Sequence, residues 1–137
     1  MKKYSKLILR IHGTVVILAG TILMVVGWIG WQSGTGVMNM LQAQSIGYIG
    51  LFQAYLLMAS LGVALWVGSF TENTRPWHVI GFLAHLSPFA ANIIFWDMIT
   101  EYGISHSGII LHIVFMLIQS FAFVFYHRLN AKETHNE

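Results

Sequence analysis

The sequence carries seven histidines against five acidic residues. Five of them, His12, His78, His85, His112 and His127, lie inside or at the ends of long apolar runs. There a neutral imidazole has three uses: it can ligate a metal, exchange hydrogen bonds through two distinct nitrogens, or relay a proton. Spacing sharpens the pattern. His78, His85 and Asn92 recur every seven residues, and so do Ser105, His112 and Gln119, a step close to two helical turns that aligns each set on one face.

Three chemistries fit these residues. A haem b would take two neutral imidazoles from different helices as axial ligands, drawn from His12, His78, His85, His112 and His127, with one of the first three paired to His127 as the expected inner pair. A quinone would accept a hydrogen bond from a histidine while aromatic rings line its faces. His12, His78, Trp77 and His85 supply that site on one side, and His112, Asn92, Gln53 and Trp96 on the other. A proton path would follow His85, Gln119, Asn92 and His112. Gln53, Asn92 and Gln119 otherwise read as polar contacts between helices. Metals other than haem iron are not expected: cysteine is absent, which removes thiolate sites, and no Glu-x-x-His motif of a di-iron bundle occurs. Asp97, Glu101 and His106 form an acid and histidine cluster, which reads as a solvated loop.

These residues sit in a chain that is 56% hydrophobic and 9% charged, with a mean hydropathy of +0.67. Soluble domains carry charge on roughly a quarter of their positions. So little polar surface excludes disorder, a nucleic-acid-binding face and a conventional cytosolic enzyme. Four apolar stretches, residues 7–31, 46–70, 77–98 and 107–127, each reach the roughly 20 residues needed to cross a bilayer. The expected fold is therefore all-α, an integral membrane antiparallel four-helix bundle forming a single transmembrane domain. The first stretch is too long for a signal-peptide core and reads as a retained span.

Lys2, Lys3, Lys6, Arg10, Arg75, Arg128 and Lys132 all fall on one side of this arrangement. The positive-inside rule then places both termini in the cytoplasm, as expected of a bacterial inner-membrane protein. Pro76 is placed to open the third span, where its missing N–H costs nothing, and Pro88 is expected to bend it. Gly13, Gly20 and Gly27 form a seven-residue stripe that predicts close packing of the first two spans. Residues 32–45 read as a glycine turn followed by a weakly amphipathic stretch, and residues 130–137 as a frayed tail. Rise per residue sorts the polar groups by depth. His12, His78 and His127 fall near the cytoplasmic boundary, His85 and Gln119 deeper with Ser60, and Asn92, His112 and Gln53 in the outer half.

Together these features predict a small membrane subunit with a histidine-lined intramembrane site, binding haem b or quinone in or beside an electron-transfer complex. Two alternatives use the same residues: a non-catalytic structural or assembly subunit, and an oligomeric proton or small-solute channel. Expected partners are the lipid bilayer and other membrane subunits or further copies of the chain, and not nucleic acid.

Overall fold

A computed structural model describes residues 2–35, 45–101 and 107–133. All of their regular structure is helical: α1 (Lys2–Ser33), α2 (Ser45–Gly68), α3 (Arg75–Ile94), α4 (Trp96–Glu101) and α5 (Ser107–Glu133). Four of these contain stretches long and apolar enough to cross a membrane, Lys3–Ser33, Ile46–Gly68, Arg75–Ile94 and Gly108–Phe125. Burial is inverted relative to a soluble domain. Ser5, His12, Ser69, Thr74, His78, His85 and Gln119 are buried, while Leu18, Ile22, Leu57, Leu83, Ile110, Leu117 and Phe121 are exposed. An outer surface of aliphatic and aromatic side chains is consistent with a membrane-spanning bundle, where backbone groups must be satisfied within each helix.

The helix ends depart from the apolar boundaries for identifiable reasons. Hydrophobicity marks what can sit in lipid, whereas hydrogen bonding decides where a helix stops. Thus α1 begins at Lys2 within its basic flank and ends in a Schellman cap, with Gly34 at φ 65° and the Thr35 N–H donating to the Gly30 carbonyl at 3.1 Å. α2 stops at Gly68, before the expected residue 70, because the turn that follows takes its last carbonyls. Ser69 Oγ donates to Trp66 O at 2.6 Å and Thr71 Oγ1 to Gly68 O at 2.7 Å. α3 opens with proline in its first turn and holds Pro88 within its length. It ends at Ile94 rather than 98, at Phe95 with φ −103° and ψ 27°, and α4 restarts with Asp97 in its first turn, where a carboxylate favours a helix beginning. α5 runs on to Glu133, so residues 130–133 are helical rather than frayed. The amphipathic stretch expected within residues 36–44 lies outside the described residues, as does His106.

The chain divides into two compact units. One comprises residues 13–64, where α1 and α2 approach at glycines. A Cβ on Gly20 would fall 2.8 Å from the Tyr55 carbonyl oxygen, and one on Gly62 would fall 2.7 Å from both the Gly13 carbonyl oxygen and the Ile17 nitrogen. The backbones touch at those points. Gly27 meets only the edge of Tyr55, at 3.7 Å. Trp31 and Tyr48 stack at 4.8 Å between ring centroids in the same unit.

The other unit holds the described residues up to His12 and from Leu65 onward. Here α3 packs along α5, and the first turns of α1 clasp the turn between α2 and α3. Arg10 Nε donates to Ser69 Oγ at 3.1 Å, and Lys6 pairs with Glu72 at 3.4 Å across an exposed surface. The indole of Trp77 occupies the space a side chain at Gly68 would need.

Candidate functional site

Inside this second unit three helices each contribute a pair of polar side chains seven residues apart: Ser5 and His12 from α1, His78 and His85 from α3, His112 and Gln119 from α5. They form one unbroken run of hydrogen bonds. Thr74 Oγ1 lies 2.6 Å from Ser5 Oγ, which lies 2.7 Å from His78 Nε2. His78 Nδ1 meets Gln119 Oε1 at 2.6 Å, and Gln119 Nε2 bonds His12 Nδ1. His12 Nε2 then meets His85 Nε2 at 2.6 Å, and His85 Nδ1 meets His112 Nδ1 at 2.9 Å.

Local structure explains several links. Thr74 occupies the N-cap of α3 yet makes no side-chain cap bond, because its hydroxyl is committed to Ser5. Asn73 takes over, its Oδ1 accepting the Arg75 N–H at 3.2 Å. Gly81 makes room for Gln119, since a Cβ there would lie 2.9 Å from Gln119 Cδ. Phe115, one turn from His112 on α5, lies nearly parallel to two imidazoles, 4.5 Å from His12 and 4.8 Å from His85 between centroids. The His12 and His85 rings are 20° from coplanar with centroids 4.8 Å apart, as expected of two rings joined end to end through one N–H···N bond. Phe115 covers that bond. His12, His78, His85 and Gln119 expose 1%, 0%, 7% and 0% of their surface, so water does not compete for these bonds.

The donors and acceptors are interdependent. With Gln119 Oε1 toward His78, the neutral ring must carry its proton on Nδ1, leaving Nε2 to accept from Ser5, which accepts from Thr74. On the other side the amide N–H donates to His12 Nδ1, so His12 Nε2–H donates to His85 and His85 Nδ1–H donates to His112. Every bond points the same way. Turning the amide over reverses all of them, so the neutral run has two arrangements and Gln119 selects between them. A proton travels along such a run as each hydrogen moves one bond onward. At Gln119 that shift converts the amide to its imidic acid, so the amide is the slow link between a Thr74–Ser5–His78 segment and a His12–His85–His112 segment.

The sequence candidates fare unequally. His12, His78, His85, His112 and Gln119 come together. His112 joins His85 in one layer instead of standing apart in the outer half. Gln53 is exposed and Asn92 half-buried, and among the described residues no hydrogen bond ties either to the run. Ser60 is also exposed, its hydroxyl donating to the Leu56 carbonyl at 2.9 Å. His127 lies in α5, its side chain outside the described residues. Ser5, Thr74, Gly81 and Phe115 are additions. Only Ser5 had a readable signal, the seven-residue step to His12.

A haem does not fit between the paired rings. A metal held about 2 Å from each of two imidazole nitrogens separates them by about 4 Å, whereas His12 and His85 are joined at 2.6 Å. Both nitrogens of His12, His78 and His85 are already engaged, and among the described residues no three His, Asp or Glu side chains are grouped to hold a metal. Compared with protein-family models, curated proteins and solved structures, the chain matches none.

Proposed function

We propose that this protein is a small membrane subunit that carries protons between one face of the bilayer and its interior through the Thr74 to His112 run. The observation that supports this reading is the continuity of the run: seven side chains from three helices and the turn before α3, each bonded to the next, six of them buried and His112 half-buried. Imidazoles near neutrality both accept and release protons, and removal from water keeps the hydrogen bonds directional.

Depth gives the path its extent. His85 stands eleven residues beyond Thr74, about 16 Å at 1.5 Å per residue, near half of a hydrocarbon layer of roughly 30 Å. The chain thus supplies a half-path. With both termini and the Arg75 turn on the positively charged, cytoplasmic side of an antiparallel four-helix transmembrane domain, the run starts at Thr74 on the side of the cytoplasm of a bacterial inner membrane and ends inside at His112. His112 Nε2 takes part in none of these bonds, which leaves it to exchange a proton with a partner subunit or a second copy. Quinone chemistry suits such a terminus. Reduction of a quinone to the quinol consumes two protons with two electrons, and the electrons would come from the partner complex. The alternative, a static assembly subunit, draws support from Gln119, whose amide passes a proton only by way of its imidic acid while locking three helices in register.

Proton uptake separates the two. Reconstituted into liposomes together with the co-purifying subunits that complete the path beyond His112, the protein is expected to admit protons when a potassium gradient with valinomycin imposes a potential. His85→Ala should cut that uptake at least about tenfold, as loss of a positioned proton-transfer group commonly does, while Lys6→Ala leaves it unchanged. Equal uptake by wild type and His85→Ala would leave the assembly role standing.

A further inference from the structure

A second feature of the same unit is independent of proton transfer. Between α3 and α5 lies a cleft of about 280 Å³ lined by His78, Val79, Phe82, Gln119, Ser120, Phe123 and Val124. Its walls are aliphatic and aromatic, and His78 and Gln119 behind them are fully buried. Residues 75, 79 and 82 fall on one helical stripe, so Arg75 heads the wall that Val79 and Phe82 continue. The Arg75 guanidinium sits 5.0 Å from the centroid of the Phe123 ring, which lines the cleft from the opposite helix. Its Nε is buried without a hydrogen-bond partner, and among the described residues no carboxylate pairs with it. The two α1 cations that meet the turn show what a satisfied cation looks like there: Lys6 has Glu72 and Arg10 has Ser69.

We propose that this cleft binds an acidic phospholipid, its phosphate on Arg75 and the start of one acyl chain between Val79, Phe82, Phe123 and Val124. Charge complementarity selects the occupant. A guanidinium matches a phosphate with paired N–H donors, and a cation held over an aromatic ring that lines an apolar groove calls for a ligand anionic at one end and aliphatic at the other. A basic pocket between transmembrane helices on the cytoplasmic side is a recurrent setting for such lipids. A zwitterionic lipid would fill the groove but offer Arg75 a phosphate whose charge its own choline cation offsets. Free phosphate would pair Arg75 and leave the groove empty.

Native mass spectrometry of the full chain released from mixed micelles of phosphatidylglycerol and phosphatidylcholine tests this. Retained phosphatidylglycerol is expected in preference to phosphatidylcholine, with millimolar inorganic phosphate failing to displace it. Arg75→Gln should weaken retention about fivefold, the effect of removing one cation near the headgroups, and Arg75→Lys should fall between. Val79→Trp, which fills the groove and keeps the charge, should abolish retention and serves if Arg75→Gln does not fold. Equal retention of the two lipids, displacement by free phosphate, or undiminished retention in both Arg75→Gln and Val79→Trp would each overturn the proposal.

Discussion

Replacing Gln119 with leucine is expected to reduce proton uptake at least about tenfold and to lower the thermal unfolding midpoint in detergent. Leucine fills a similar volume but leaves His78 Nδ1 and His12 Nδ1 facing apolar carbon. Each buried group stripped of its partner costs about 1–3 kcal/mol. Gly81→Ala should produce the same loss without deleting any polar group, because the new methyl would lie 2.9 Å from Gln119 Cδ and 3.2 Å from its Oε1 and drive the amide out of line. Gln119→Glu separates relay from scaffold. A carboxyl group takes up and releases protons where an amide must tautomerise, so uptake should rise above wild type if the run conducts. Liposome uptake and calorimetry on the same preparations check all three, and unchanged uptake in Gln119→Leu would remove the run from any conducting role.

The second large effect belongs to residues 13–64. Gly62→Leu should prevent α1 and α2 from closing, because the first added carbon already falls 2.7 Å from the Gly13 carbonyl oxygen and the Ile17 nitrogen. Those are backbone atoms and cannot swing aside. Overpacking of a single site typically costs about 1–3 kcal/mol, and with rigid neighbours Gly62→Leu should sit at or beyond the upper end. Gly50→Ala is the matched control on the same helix, since nothing lies within 4 Å of its added methyl. By helix propensity alone it should be neutral or stabilising by up to about 1 kcal/mol. Unfolding in detergent followed by circular dichroism distinguishes them, and equal midpoints would mean that the two helices do not depend on that contact.

Hydrophobic runs alone marked the four long helices, because each must be apolar over the thickness of a bilayer, and Pro76 and Gly34 marked two of their ends. The seven-residue steps at His78/His85 and His112/Gln119 likewise identified most of the buried run. What one sequence does not contain is how far each helix slides against the next. Rise per residue orders groups along their own helix but leaves that offset free, which is why His112 was expected apart from His85 and is bonded to it. The same missing offset hid Phe115, an ordinary apolar residue until its ring is placed over His12 and His85. It also hid Thr74, whose hydroxyl looks like a helix cap and serves Ser5 instead. Asn92 shares the heptad of His78 and His85, yet among the described residues no side-chain hydrogen bond reaches it.

The inverted burial described above sets how the chain can change over time. At Leu18, Ile22, Leu57, Leu83, Ile110, Leu117 and Phe121, side chains meet fluid hydrocarbon with no fixed shape, so exchange among aliphatic residues should be almost free. At Ser5, His12, His78, His85 and Gln119, each residue constrains the proton positions of the next, and a substitution is tolerated only when its neighbours change with it. Drift should therefore be fast on the apolar outside and concerted within the polar interior, the reverse of the pattern in a water-soluble domain, where the surface is free and the apolar core is coupled.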